Sequence, residues 1–164
     1  ELRLPAAEPE SNSDEQQNTS AKLQGSGRVL LVDDVAEVLV TTGAFLEKAG
    51  FRVAKAGSGD QALAFLAAGE RFDALVTDYA MPGMHGLELI EQVRVVQPGL
   101  AALVITGFAE VGGADILPES VAVLRKPFQR QQLVEALLQS MGREPSPTQD
   151  GTAPDTTLNR SYLL

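Results

Sequence analysis

The chain has 164 residues, with 13 Lys and Arg against 22 Asp and Glu, a net charge of −9. That balance argues against non-specific binding to nucleic acid or to an anionic membrane surface. With no cysteine present, disulfides, thiolate metal sites and thiol nucleophiles are excluded. No apolar run approaches the roughly 20 residues of a membrane span. The absence of cysteine and of a basic-then-apolar start suits a cytoplasmic protein.

Composition changes twice along the chain. Residues 1–27 carry 2 basic and 5 acidic side chains and are rich in Glu, Ser, Asn, Gln and Gly. Residues 142–164 are again polar and punctuated by proline. Neither segment has enough apolar surface to offset the entropy of ordering, so both read as disordered. Between them, residues 28–141 form the expected folded unit. The start, Glu1-Leu2-Arg3-Leu4-Pro5, alternates like the end of a strand.

Within the unit, short apolar runs alternate with helical patterns. Arg28–Val32 is a short Val/Leu run, the mark of a strand buried on both faces. Val35, Val38, Leu39, Thr42, Phe45, Leu46 and Ala49 follow at helical spacing, and Gly50 stops that helix. A weaker strand, Arg52–Lys55, leads to Ser58, a good N-cap for a helix burying Ala62, Leu63, Leu66 and Ala67. Ala74–Thr77 is the third strand. After the loop Tyr79–Gly86, a helix places Leu87, Ile90 and Val93 inward and ends near Pro98-Gly99. Ala101–Ile105 and Val121–Leu124 are strands, and Leu133, Val134, Leu137, Leu138 and Met141 mark the last helix. Between the fourth and fifth strands, Gly112-Gly113 and Pro118 leave room for a short or irregular helix at most. This βα alternation implies a parallel sheet covered on both faces.

Charge stands at the strand ends. Asp33 and Asp34 follow the first strand, Asp78 the third and Lys126 the fifth. In an open parallel sheet these positions share the carboxyl edge, where such folds bind ligands. Crowded carboxylates repel unless a cation joins them, so the cluster reads as a divalent-metal and phosphate site. Taken singly, Asp33-Asp34 also fits a polar strand end capping a helix, and Thr106 a strand-end hydroxyl. His85, the one histidine, reads as an exposed loop residue.

Four pieces together carry a family resemblance: Leu-Val-Asp-Asp at 31–34, Thr-Asp-Tyr-Ala-Met-Pro-Gly-Met at 77–84, Val-Ile-Thr-Gly at 104–107 and Arg-Lys-Pro-Phe at 125–128. In this order, on these elements, the chain resembles the receiver domain of two-component signalling. The resemblance implies a three-layer α/β/α doubly wound fold with five parallel strands in the order 2-1-3-4-5. It implies that Asp78 accepts a phosphoryl group, that Asp33, Asp34, Asp78 and the Ala80 carbonyl hold Mg²⁺, and that Lys126 and Thr106 bind phosphoryl oxygens. A cis Lys126–Pro127 bond is implied too. The implied partners are a histidine kinase or a histidine phosphotransfer protein, with possible intramolecular contact to a kinase core.

Some positions depart from that pattern. Val123 stands where an aromatic side chain often couples to the threonine, leaving output to Thr106 and the 107–120 segment. Ala80 and Phe108 are apolar where polar side chains help an attacking water, which implies slow self-dephosphorylation. Residues 1–5 resemble the closing strand of a kinase ATP-binding domain, so the receiver of a hybrid histidine kinase is favoured over a stand-alone regulator. A pseudo-receiver that binds proteins without phosphorylation is the alternative. A small-molecule hydrolase has less support, since no second phosphate-binding loop is present. The ending Ser161-Tyr162-Leu163-Leu164 reads as a solvated tail or a partner-binding peptide.

Overall fold

The computed structural model describes residues 24–107 and 118–142. The expected linker and tail fall almost wholly outside the described residues, as do residues 1–5, Phe108, most of the expected irregular helix and the final tetrapeptide. In chain order the elements are β1 Arg28–Val32, α1 Ala36–Lys48, β2 Arg52–Ala56, α2 Gly59–Ala67, β3 Ala74–Asp78, α3 Gly86–Val96, β4 Ala101–Thr106, β5 Ala122–Arg125 and α4 Arg130–Ser140. The five strands pair in parallel in the order β2-β1-β3-β4-β5, as the resemblance implies.

Alternation along each strand divides the core in two, because successive side chains leave a strand on opposite faces. Leu30, Val32, Leu75, Ala102 and Val104 face α2 and α3 and pack with Ala62, Leu66, Leu89, Ile90 and Val93. Val29, Leu31, Ala74, Val76, Leu103 and Ile105 face α1 and α4 and pack with Leu46, Leu133, Val134, Leu137 and Leu138. Every residue of β3 is buried. β2 is an edge strand and carries Arg52 and Lys55, charges that discourage pairing with another chain.

Punctuation follows the sequence closely. Ser58 Oγ accepts the Gln61 N–H at 3.2 Å and caps α2, a bond of the kind worth about 1 kcal/mol. Gly50 ends α1 at φ +104, where a Cβ would lie 2.5 Å from the Gly25 carbonyl oxygen. On the other side of that contact, the Gly25 N–H donates to the Ala49 carbonyl at 2.7 Å and the Gly27 carbonyl accepts from Arg52 at 2.9 Å. Residues 25–27 thus lie against the folded body.

Several details differ from expectation. In α3 the buried set is Gly86, Leu89, Ile90 and Val93, with Leu87 only half-buried. The helix begins at Gly86, and that phase turns residue 89 inward and residue 87 sideways. On α2, Ala67 is exposed, while Gly59, Ala62 and Leu66 are buried. Val35 precedes the first turn of α1 and is 44% exposed. β3 and β4 each run one residue further than their apolar stretches, because Asp78 pairs with Ile105 and Thr106 with Arg125.

Candidate functional site

The register brings the charged strand ends together. Val32 pairs with Thr77, Asp78 with Ile105 and Thr106 with Arg125, so residues 33, 78, 106 and 126 share the carboxyl edge of four adjacent strands. Two further backbone bonds continue the ladders past the strands. The Tyr79 N–H donates to Ile105 at 2.8 Å and the Lys126 N–H to Thr106 at 2.8 Å.

Asp78 is the last residue of β3 and is 5% exposed. Its Oδ1 pairs with Lys126 Nζ at 2.6 Å, and its Oδ2 accepts the Ala80 N–H at 3.0 Å. The lysine and the amide thus fix both carboxylate oxygens in place at the sheet edge, where one of them can act as a nucleophile. Its backbone carbonyl accepts the Thr77 hydroxyl at 3.0 Å. Thr77 read only as a strand residue in the sequence, since nothing in an apolar run reports where a hydroxyl bonds. The Lys126–Pro127 peptide bond is cis, as implied.

Asp33 is buried, with Oδ1 accepting the Val35 N–H at 2.9 Å. Val35, not an aspartate, holds the N-cap position of α1, so the capping reading of the acidic pair does not hold. Burial pushes the Asp33 carboxyl up from its ordinary value, and the neighbouring Asp78 and Asp34 charges add to that push. The Val35 bond and Lys126 act in the opposite direction. Asp34 is exposed beside it. Thr106 is fully buried at the end of β4, its hydroxyl donating to the Gly107 carbonyl at 3.2 Å. Ala80 is half-buried, and His85 is exposed as the N-cap residue of α3, its ring 6.3 Å from that of Tyr79.

The donor set suits a hard cation. Every side chain acidic enough to ligate here offers oxygen, and the upward push on Asp33 is what a divalent ion would relieve. Among the described residues, no three acidic or histidine side chains stand close enough to hold a metal by themselves. Magnesium does not need them, since it keeps several waters and takes one or two carboxylates. No helix among the described residues is long and apolar enough to cross a membrane.

Comparison with known proteins agrees with this geometry. The family profile described as "Response regulator receiver domain" matches residues 29–138. A response regulator receiver protein of Anaeromyxobacter sp. (strain Fw109-5) is 41% identical over 107 residues, covering 60% of this chain and 44% of that protein. The response regulator receiver protein CpdR of Brucella abortus (strain 2308) is 36% identical over 113 residues, 67% of this chain and 92% of that one. Sensor kinase CckA of the same organism is 32% identical over 125 residues, which are 74% of this chain and 13% of the kinase. The chain therefore spans less than half the length of some relatives it matches. Among solved structures, a response regulator receiver protein from Sinorhizobium medicae WSM419 superposes with a TM-score of 0.64 at 30% identity, covering 71% of this chain and 95% of that one. The receiver domain of the hybrid histidine kinase CckA does so with a TM-score of 0.59 at 28% identity, covering 70% and 99%. With the profile reaching all five strands and the acidic edge, the chain belongs to the response regulator receiver domain family of two-component signalling.

Proposed function

We propose that this domain takes a phosphoryl group from a phosphohistidine onto Asp78, and that the acyl phosphate so formed changes its signalling surface. The observation that carries this reading is the buried Asp78 carboxylate, paired at 2.6 Å with Lys126 and set beside Asp33. An Asp78 oxygen bonds to phosphorus while the phosphorus–nitrogen bond breaks, its electron pair going to the nitrogen; the donor ring, already protonated on its other nitrogen, leaves as neutral imidazole. Lys126 neutralises a phosphoryl oxygen as charge spreads over the transferring group. The Thr106 hydroxyl turns from the Gly107 carbonyl to donate to a phosphoryl oxygen, and that exchange of partners biases a two-state equilibrium near β4 and β5. Asp33 and Asp34, with Asp78 and the Ala80 carbonyl, are the groups that would hold Mg²⁺. When bound, the ion supplies charge neutralisation at the phosphoryl oxygens.

The donor is a histidine kinase or a histidine phosphotransfer protein. Likeness to the CckA receiver supports a place within a hybrid histidine kinase. Sizing the native gene product tests this, because a short product with its own start removes the hybrid reading. The Ala80 side chain has no polar group to orient an attacking water, so the phosphorylated form should be long-lived. Ala80→Asn should shorten that lifetime, timed by phosphate release; an unchanged lifetime refutes the role given to residue 80.

A pseudo-receiver would ignore phosphate chemistry, and a titration separates the two. With beryllofluoride, a phosphoryl analogue, amide resonances of residues 78–80, 106 and 126 should shift in Mg²⁺ and stay still in chelator. Resonances unmoved in both conditions would favour the interaction module.

A further inference from the structure

Gly86 lacks a side chain where one would press on the backbone of the acceptor itself. A Cβ on this residue would lie 2.3 Å from the Asp78 carbonyl oxygen, 3.2 Å from its carbonyl carbon and 3.2 Å from Thr77 Cγ2. Its φ is not positive, so the backbone conformation does not call for glycine. Space does. Most other crowded glycines among the described residues face side chains, such as the flexible Met84 at Gly59 or the end of Lys55 at Gly43. Gly50 also faces a backbone oxygen, that of Gly25, away from the carboxyl edge.

The contact joins two bonds that matter to the site. The Gly86 N–H donates to the Tyr79 carbonyl at 2.9 Å and closes the loop between β3 and α3. Inside that loop the Ala80 N–H holds Asp78 Oδ2 at 3.0 Å. On the other side, the Thr77 hydroxyl holds the same Asp78 carbonyl that Gly86 abuts. We infer that Gly86 is a positioning residue for phosphoryl transfer, letting α3 start flush against Asp78 so that its carboxylate and the Ala80 backbone keep their relative placement. This rests on the reading of Asp78 as the phosphoacceptor. Adding a methyl forces a shift of about 0.7 Å to restore the 3.0 Å that Cβ atoms keep from neighbours, and close-packed surroundings pass that shift on to Asp78.

The test is the rate of phosphorylation by a small acyl phosphate at saturating Mg²⁺, followed by intact mass, with Mg²⁺ affinity measured in parallel. Gly86→Ala should react more slowly by on the order of 100-fold, the cost of misplacing reacting atoms by nearly an ångström, and should bind Mg²⁺ more weakly while remaining folded. Gly59→Ala, whose new methyl meets a side chain that can move, should keep the wild-type rate. Adding Thr77→Ser to Gly86→Ala removes the Cγ2 contact but not the carbonyl contact, so it should not restore the rate. Wild-type behaviour of Gly86→Ala, or rescue by Thr77→Ser, overturns the proposal while leaving Asp78 as acceptor. A wild-type chain that gains no phosphoryl group overturns both. Should Gly86→Ala fail to fold, amide exchange in the wild-type chain decides. Mg²⁺ and beryllofluoride should slow exchange at Gly86 and Ala80 but not at Gly50, and equal rates with and without them would overturn the assignment.

Discussion

Lys126→Gln should slow phosphoryl transfer to Asp78 by on the order of 100- to 1,000-fold, the loss expected when a preorganised charge is removed from a developing anion. The same change should tighten Mg²⁺ binding. At 2.6 Å from Asp78 Oδ1, the ammonium competes with any cation for that carboxylate, and glutamine does not. A fall in rate alone would be uninformative, because a damaged fold also produces one. Slower transfer combined with tighter metal binding is specific to a lysine that acts on the phosphoryl group. Stopped-flow phosphorylation and isothermal titration of Mg²⁺ measure the two quantities. Weaker Mg²⁺ binding in Lys126→Gln would contradict the assigned role.

Asp33→Asn should weaken Mg²⁺ binding strongly and yet stabilise the metal-free domain at neutral pH. The Asp33 carboxyl is raised from its ordinary value, chiefly by burial and then by Asp78 and Asp34. A carboxyl that holds its proton more tightly when folded favours the folded state below its unfolded pKa, about 3.9, and loses that advantage as pH rises through the folded value. At neutral pH the charged group is therefore a cost to the metal-free protein. Asparagine removes the charge and keeps an oxygen to accept the Val35 N–H. In chelator, the variant's gain in melting temperature should be absent below the unfolded aspartate value of about 3.9 and grow as pH rises through the higher folded value of Asp33. Mg²⁺ should narrow the gap, since it binds the wild type preferentially. A variant less stable than wild type at pH 7 without metal would contradict this account.

Much of the site was legible because strand ends are easy to read. Asp33, Asp78, Thr106 and Lys126 each close an apolar run, and a parallel sheet brings such positions to one edge whatever the helices do. The difference between Asp33 and Asp34 was not legible, since adjacent carboxylates look alike in one dimension. In the fold Asp33 is buried and its neighbour exposed. Helix phase was harder than helix existence. Leu87 and Leu89 both suit an apolar stripe, and the phase of α3 from Gly86 buries Leu89 and leaves Leu87 half-buried. Gly86 carried no signal of its own, because a glycine needed for room reads like one needed for a turn. Val35 looked like part of the buried stripe and lies just before it.

The central claim is tested most directly by intact-mass measurement after incubation with a phosphohistidine-bearing protein, comparing the wild type with Asp78→Asn. In Mg²⁺ the wild type should gain one phosphoryl group, and Asp78→Asn, or the wild type in chelator, should gain none. A wild-type chain that stays unmodified in Mg²⁺, or an Asp78→Asn chain modified to the same extent, would contradict it.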